Sequence, residues 1–379
     1  MATKKAKSRA NKPKYDLLIK NVRVVRPLAA MVEQADIAIK GGRFAKIAPV
    51  IAADSAAEVF DGKNRLAFPG LVDPHMHTGI YSPLAQDAVT ESRAAAQGGV
   101  TSSLNYMRTG GYYLNKGGSY KKFFPEVLKL SDGNFFVDYT YHLAPMDKRH
   151  IREIPALVDA FGVTSFKIFM FYGGHGLHGR SSNQHEFLMI NEDEKYDIAH
   201  FEFVMRGIRK AMEKYPDKAG DISLSLHCET AEIMSAYTKI VEEEGKLKGL
   251  PAYSAARPPH SEGLAIFIAS YLANETDLPN INLLHLTSRK AVLAALQMAA
   301  VFPHINFRRE VTIGHLMLDT DSPAGGLAKV NPPIRPREDV EYLWEQLVAG
   351  NLDWVCSDHA CCRHEMKIDK RKPGNIWLA

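Results

Sequence analysis

Two histidines one residue apart, His75 and His77, close the apolar run FPGLVDPHMH. In a strand, residues i and i+2 point to the same face. Both imidazoles can then reach one metal ion at about 2.0–2.1 Å; two exposed histidines would also explain the pair. Three further ligand-type residues share its address. His227 sits near the end of ISLSLHCE, His285 in INLLHLTS, and Asp358 ends LDWVCSD. Lys167 is the odd sixth, inside the otherwise almost wholly apolar VTSFKIFMFY. Lysine is almost never fully buried unless paired, and burial favours its neutral amine. A neutral amine can add carbon dioxide to become a carbamate, which is a carboxylate on a long stem, suited to bridging two cations. The alternative is a lysine whose head snorkels to the rim.

The elements carrying these residues form a pattern. Eight short apolar runs begin at Phe68: FPGLVD, VTSSLNYM, FFVDYTYHLA, VTSFKIFMFY, ISLSLHCE, INLLHLTS, INFRREVTI and LDWVCSD. Helical stretches such as HFEFVMRGIRKAMEKY and EGLAIFIASYLANE lie between several of them. Such alternation predicts parallel βα units. Eight is the strand count of a (β/α)8 TIM barrel, whose catalytic groups gather at the C-terminal strand ends. Ahead of it, DLLIKNVRVV, ADIAIKGGRFAKIA and EVFDGKNRLAFPG alternate apolar and polar residues, with Gly or Asn at the turns. They predict a small antiparallel sheet. The expected class is therefore α/β: a disordered basic tail over 1–14, a β-sandwich-type half-domain over 15–66 and the barrel over 67–379. The twenty-one residues after Asp358 barely allow one closing helix. The barrel is thus expected to be short at its C-terminus, with the C-terminal part of the sandwich missing.

Composition narrows the function classes. The chain has 379 residues, 46% hydrophobic and 24% charged, close to a globular average. No run approaches 18 uninterrupted apolar residues, which excludes a spanning helix. The net charge of +4 is too weak and dispersed to argue for nucleic acid. Much of it sits in MATKKAKSRANKPKY, which lacks the apolar core of a secretory signal. A solvated tail or a targeting leader explains that segment. Four cysteines make no disulfide framework. Adjacent Cys361 and Cys362 read as reduced thiols of a cytoplasmic protein, and no second cysteine pair stands at zinc-knuckle spacing.

The order His-x-His, Lys, His, His, Asp at barrel strand ends resembles the amidohydrolase superfamily. More narrowly, FPGLVDPHMH, TSFKIFMFY, LHCE, LLHLTS, EVTIGHLML, VNPPIR and CSDHA resemble its cyclic amidase group. That group includes hydantoinase or dihydropyrimidinase, allantoinase and dihydroorotase. The resemblance implies two divalent metal ions per subunit, expected to be zinc. His75 and His77 would bind the first, His227 and His285 the second. N6-carboxylated Lys167 would bridge them, and Asp358 would ligate the first and handle protons. It implies a hydrolase acting on carbon–nitrogen bonds of cyclic amides through a metal-bridging hydroxide. A dimer or tetramer is implied as well. Tyr172, five residues after Lys167, matches the tyrosine that hydantoinases carry over the substrate oxygen. Asn331 in VNPPIR matches a loop that contacts the ring amide. Arg257 and Arg335 match positions with structural roles.

The ring is less defined. Where dihydroorotases place an Arg after the second histidine this chain has Gly79, and Cys362 replaces a His after the aspartate. Both departures remove partners for a substrate carboxylate. With Tyr172 they favour the hydantoinase and dihydropyrimidinase side; allantoinase and dihydroorotase remain as alternatives. Two segments are distinctive, GGYYLNKGGSY and the His-rich loop 173–187, which holds His175, His178, Arg180 and His185. Either is a substrate lid or an ordinary surface loop. A rival of another class is a scaffold or fragment of the same fold that binds metal poorly and does not catalyse.

Overall fold

The computed structural model describes residues 12–27, 31–175, 183–367 and 376–377. Residues 1–11 of the basic tail, and His178 and Arg180, lie outside the described residues. The chain divides into two compact units between Leu71 and Val72.

The first unit is one four-stranded sheet. Its strands are β1 (Tyr15–Val24), β2 (Glu33–Lys40), β3 (Arg43–Ala48) and β4 (Ala56–Ala67), in the order β3-β2-β1-β4. The expected antiparallel sheet is instead mixed, because β1 pairs β4 in parallel. Alternation marks a strand but not its partner, so the sequence pattern could not show this pairing. The register of β1 against β2 shifts between Ile19 and Val22. At that irregularity the buried Asp36 carboxylate accepts from Lys20 Nζ at 2.6 Å, Asn21 N at 2.8 Å and Ile51 N at 2.9 Å. Burial would raise this carboxyl, but the Lys20 amine and the two amides outweigh it and hold it below its ordinary value.

The second unit holds a curled parallel sheet. All eight apolar runs form strands: β5 (Leu71–His77), β6 (Val100–Met107), β7 (Asp138–Leu143), β8 (Ser165–Phe169), β9 (Ser223–His227), β10 (Asn280–Leu283), β11 (Asn306–Thr312) and β12 (Trp354–Cys356). A two-residue strand, β13 (His359–Ala360), follows. The sheet order is β12-β11-β10-β9-β8-β7-β6-β5-β13. Its two end strands are separated in the chain by Ser357 and Asp358 alone. His359 and Ala360 pair with Met76 and His77, which carries the last strand segment onto the first. Helices connect the strands, and several start on side-chain caps: Ser119, Asp147, Asp197 and Ser288 each accept from a backbone amide of the first turn. Strands covered on both faces read as continuous apolar runs. In β8, Phe166 to Phe169 are all buried.

Asp36→Asn is expected to lower the unfolding free energy by about 1.5–3 kcal/mol at neutral pH, the scale of hydrogen bonds to a charged group. A carboxyl with a depressed folded pKa stabilises above its unfolded pKa of about 3.9, and that stability is lost as pH falls through the folded value. Urea titrations should therefore show the gap between wild type and variant closing in acid. A gap that does not change with pH contradicts this assignment.

Candidate active site

His75 and His77 occupy the C-terminal half of β5 and point to one side of it. His227 is the last residue of β9. His285 lies two residues beyond β10, and Asp358 two beyond β12. Lys167 is the central residue of β8. All six line one cavity of about 400 Å³, and Tyr172 and Asn331 line it too. The imidazoles converge: ring centroids are 5.3 Å apart for His75 and His77, 5.6 Å for His75 and His285, and 4.3 Å for His227 and His285. Asp358 Oδ1 stands 3.0 Å from His75 Nε2 and 3.3 Å from His77 Nε2.

Each ring is aimed by a partner on its outer nitrogen. His75 Nδ1 donates to Glu310 Oε1 at 2.8 Å. His77 Nδ1 is bonded to the Tyr113 hydroxyl at 2.8 Å. His227 Nε2 donates to Glu229 Oε2 at 2.6 Å. Glu229 is held in turn by Arg257, through Nε at 2.9 Å and Nη2 at 2.5 Å. Arg257 Nη1 also donates to the Tyr253 hydroxyl, which donates to Asn331 Oδ1. One chain of bonds thus runs from His227 to Asn331. His315, in the EVTIGHLML motif, donates to the Pro332 carbonyl at 3.0 Å and steadies the same loop. Arg335 bonds Glu262, Thr287 and the Arg257 carbonyl. Arg257 and Arg335 are both buried and absent from the cavity lining.

Glu310, Glu229 and Tyr113 were not singled out from the sequence. The two acids carried a signal, each being a carboxylate placed in or just after an apolar strand. Tyr113 carried none, since its place depends on a loop with Tyr112, Leu114 and Asn115 at positive φ. Within the His-rich loop, His175 bonds Ser235 Oγ at 3.3 Å. Neither it nor His185 lines the cavity.

The electrostatics suit ligation. Burial pushes His77 and His227 down to about 4 and His285 well below its ordinary value. These rings are neutral at physiological pH, as a metal ligand must be. Burial would also lower His75, but Asp358 and Glu310 outweigh it and raise that ring. Burial pushes the Lys167 amine down to about 8. Its Nζ faces the Tyr106 and Phe169 rings, 4.1 and 4.6 Å from their centroids. Among the described residues, His75 Nε2, His285 Nδ1 and Lys167 Nζ are buried with no hydrogen-bond partner. Each such atom costs about 1–3 kcal/mol. Three such atoms on residues lining one cavity suit a site for divalent cations. His75, His77 and Asp358 form one set able to hold such an ion. His285 and Asp358 also have positive φ, 37° and 49°, a strained backbone typical of functional positions.

No protein-family model matches the chain. It is 28% identical over 375 residues to an allantoinase of Escherichia coli, spanning 96% of this chain and 73% of that one. The fold is shared with a dihydropyrimidinase from Brevibacillus agri, at TM-score 0.72 and 26% identity, over 92% of this chain and 69% of that one. A D-hydantoinase from Bacillus sp. AR9 matches at TM-score 0.74 and 26% identity, over 95% and 73%. Sequence relatives and fold neighbours point the same way: the chain is similar to allantoinases, dihydropyrimidinases and hydantoinases, hydrolases acting on cyclic amides.

Proposed function

We propose that this chain is a dinuclear metal-dependent hydrolase of hydantoinase or dihydropyrimidinase type, opening the amide bond of a cyclic amide, imide or ureide. One observation carries the reading. Four imidazoles, an amine and a carboxylate from five strands meet at one cavity, and three of their polar atoms lack hydrogen-bond partners among the described residues. In this reading the curled sheet is a (β/α)8 barrel whose last strand is split at Ser357–Asp358. Residues 67–379 make up the barrel, and 15–66 a sandwich-type half-domain.

His75, His77 and Asp358 would hold one cation and His227 and His285 the other, with carboxylated Lys167 between them. Zinc suits this donor set, although imidazole and carboxylate also accept manganese, iron or cobalt. Bound there, the cations would supply an activated water and polarise the ring carbonyl. Asp358 takes a proton from the attacking water and delivers it to the departing ring nitrogen, because an amide anion leaves poorly. Burial pushes the Tyr172 phenol up, so it stays protonated and can donate to the developing oxyanion. Asn331, oriented by Tyr253, offers an amide to pair with the ring. Ile80, Tyr81, Phe169 and Phe171 wall the cavity and limit water. A cytoplasmic enzyme fits the four unpaired cysteines, and a homo-oligomer follows from the group resemblance.

A second reading, allantoinase, is favoured by the E. coli relative. A panel of hydantoins, dihydrouracil, allantoin, dihydroorotate, succinimide and lactams, with zinc and bicarbonate present, separates the two. Turnover of hydantoins or dihydrouracil supports the first reading, and allantoin alone the second. No ring opening in any member contradicts both. Lys167→Ala should abolish metal binding and activity, with partial rescue by short carboxylic acids; full activity refutes the carbamate. Asp358→Asn should keep much of the metal yet lose turnover, so an unchanged rate removes Asp358 from proton transfer.

A further inference from the structure

Arg108, the residue after β6, is fully buried. Nη1 donates to the Thr109 carbonyl at 2.9 Å, while among the described residues Nε and Nη2 have no hydrogen-bond partner. Burying a guanidinium without a carboxylate is costly. What surrounds it is aromatic. Its guanidinium carbon lies 4.8 Å from the Tyr113 ring centroid, 5.1 Å from that of Tyr172 and 4.8 Å from that of Phe187. A cation over a ring face is attracted by the ring quadrupole, more so when dry.

The three rings come from three segments. Tyr113 belongs to GGYYLNKGGSY, Phe187 ends the His-rich segment, and Tyr172 follows β8. Tyr113 and Tyr172 both line the cavity, and Tyr113 holds His77. The loops are stitched beside Arg108. Gly111 N donates to the Phe187 carbonyl at 2.9 Å, and Gln184 Nε2 to the Tyr172 carbonyl at 2.9 Å. A Cβ on Gly110 would stand 2.6 Å from Arg108 Nη1 and 3.0 Å from the Phe187 carbonyl oxygen. One on Gly117 would stand 2.9 Å from the Met189 carbonyl oxygen. Side chains at either glycine would part the loops.

We propose that Arg108 is a positioning residue that locks loops 110–118 and 183–189 against Tyr172 and makes the Tyr172 phenol a stronger hydrogen-bond donor. The donor role rests on the function proposed above for Tyr172; the locking role does not. A positive charge against the ring draws electron density from the phenol oxygen. In keeping with this, the Arg108 charge opposes the upward push that burial gives the Tyr172 phenol.

The test combines two readouts. Arg108→Met should lower kcat at least about tenfold with KM changed less than about threefold, the pattern of an interaction made in the transition state. In a Tyr172→Phe background the same change should cost less than about threefold, since coupled residues are not additive. Equal losses in both backgrounds overturn the donor role. Arg108→Lys, which keeps charge without a planar face, should fall between wild type and Arg108→Met; full wild-type behaviour overturns the stacking requirement. It also stands in if Arg108→Met fails to fold. In the second readout, amide hydrogen exchange of Arg108→Met should quicken in both loops together while the sheet stays protected. Unchanged exchange in either loop overturns the locking role. Exchange needs no turnover, so it decides the locking role even if no ring is opened.

Discussion

One buried carboxylate ties the cavity floor together. Glu310, on β11, accepts from His75 Nδ1 and from the His285 amide through Oε1, and from Trp354 Nε1 through Oε2. It thereby joins β5, the segment after β10, and β12. Burial would raise this carboxyl, but His75 beside it, together with the bond from Trp354, holds it low and ionised. The anchoring also fixes which ring nitrogen faces inward. His75 and His77 are held through Nδ1 and present Nε2. His227 is held through Nε2, which leaves Nδ1 for the cavity. Partners of this kind orient a ligand and fix its tautomer.

The same floor explains where the backbone departs from regular structure. Asp358 sits where the last strand breaks into β12 and β13, and the break turns its carboxylate toward two imidazoles at once. His285 follows β10 in a left-handed conformation with its amide on Glu310. Neither conformation is easy for a residue with a side chain. The surrounding bonds hold both. A rigid sheet below and aromatic walls above leave few alternative positions for these groups.

Much of this was legible in the chain because parallel strands buried on both faces read as continuous apolar runs. A histidine, lysine or aspartate at the end of such a run breaks a strong pattern, and repetition of that break at several runs points to one rim. The supporting residues were harder to see. Glu310 and Glu229 look locally like acids at strand or turn positions, and their roles emerge only when another strand is laid alongside. Tyr113 and Arg108 depend on how two loops pack, which no periodicity encodes. The parallel pairing of β1 with β4 was missed for a related reason, since pairing is a long-range choice.

The central claim is that the buried imidazoles and Lys167 exist to hold paired cations. Metal analysis of the wild-type chain loaded with zinc and bicarbonate, with mass spectrometry of the intact protein under native conditions, addresses it most directly. The account predicts two zinc ions per chain and the added mass of one carbon dioxide, traced to Lys167. One zinc or none per chain, with Lys167 an unmodified amine, would contradict it.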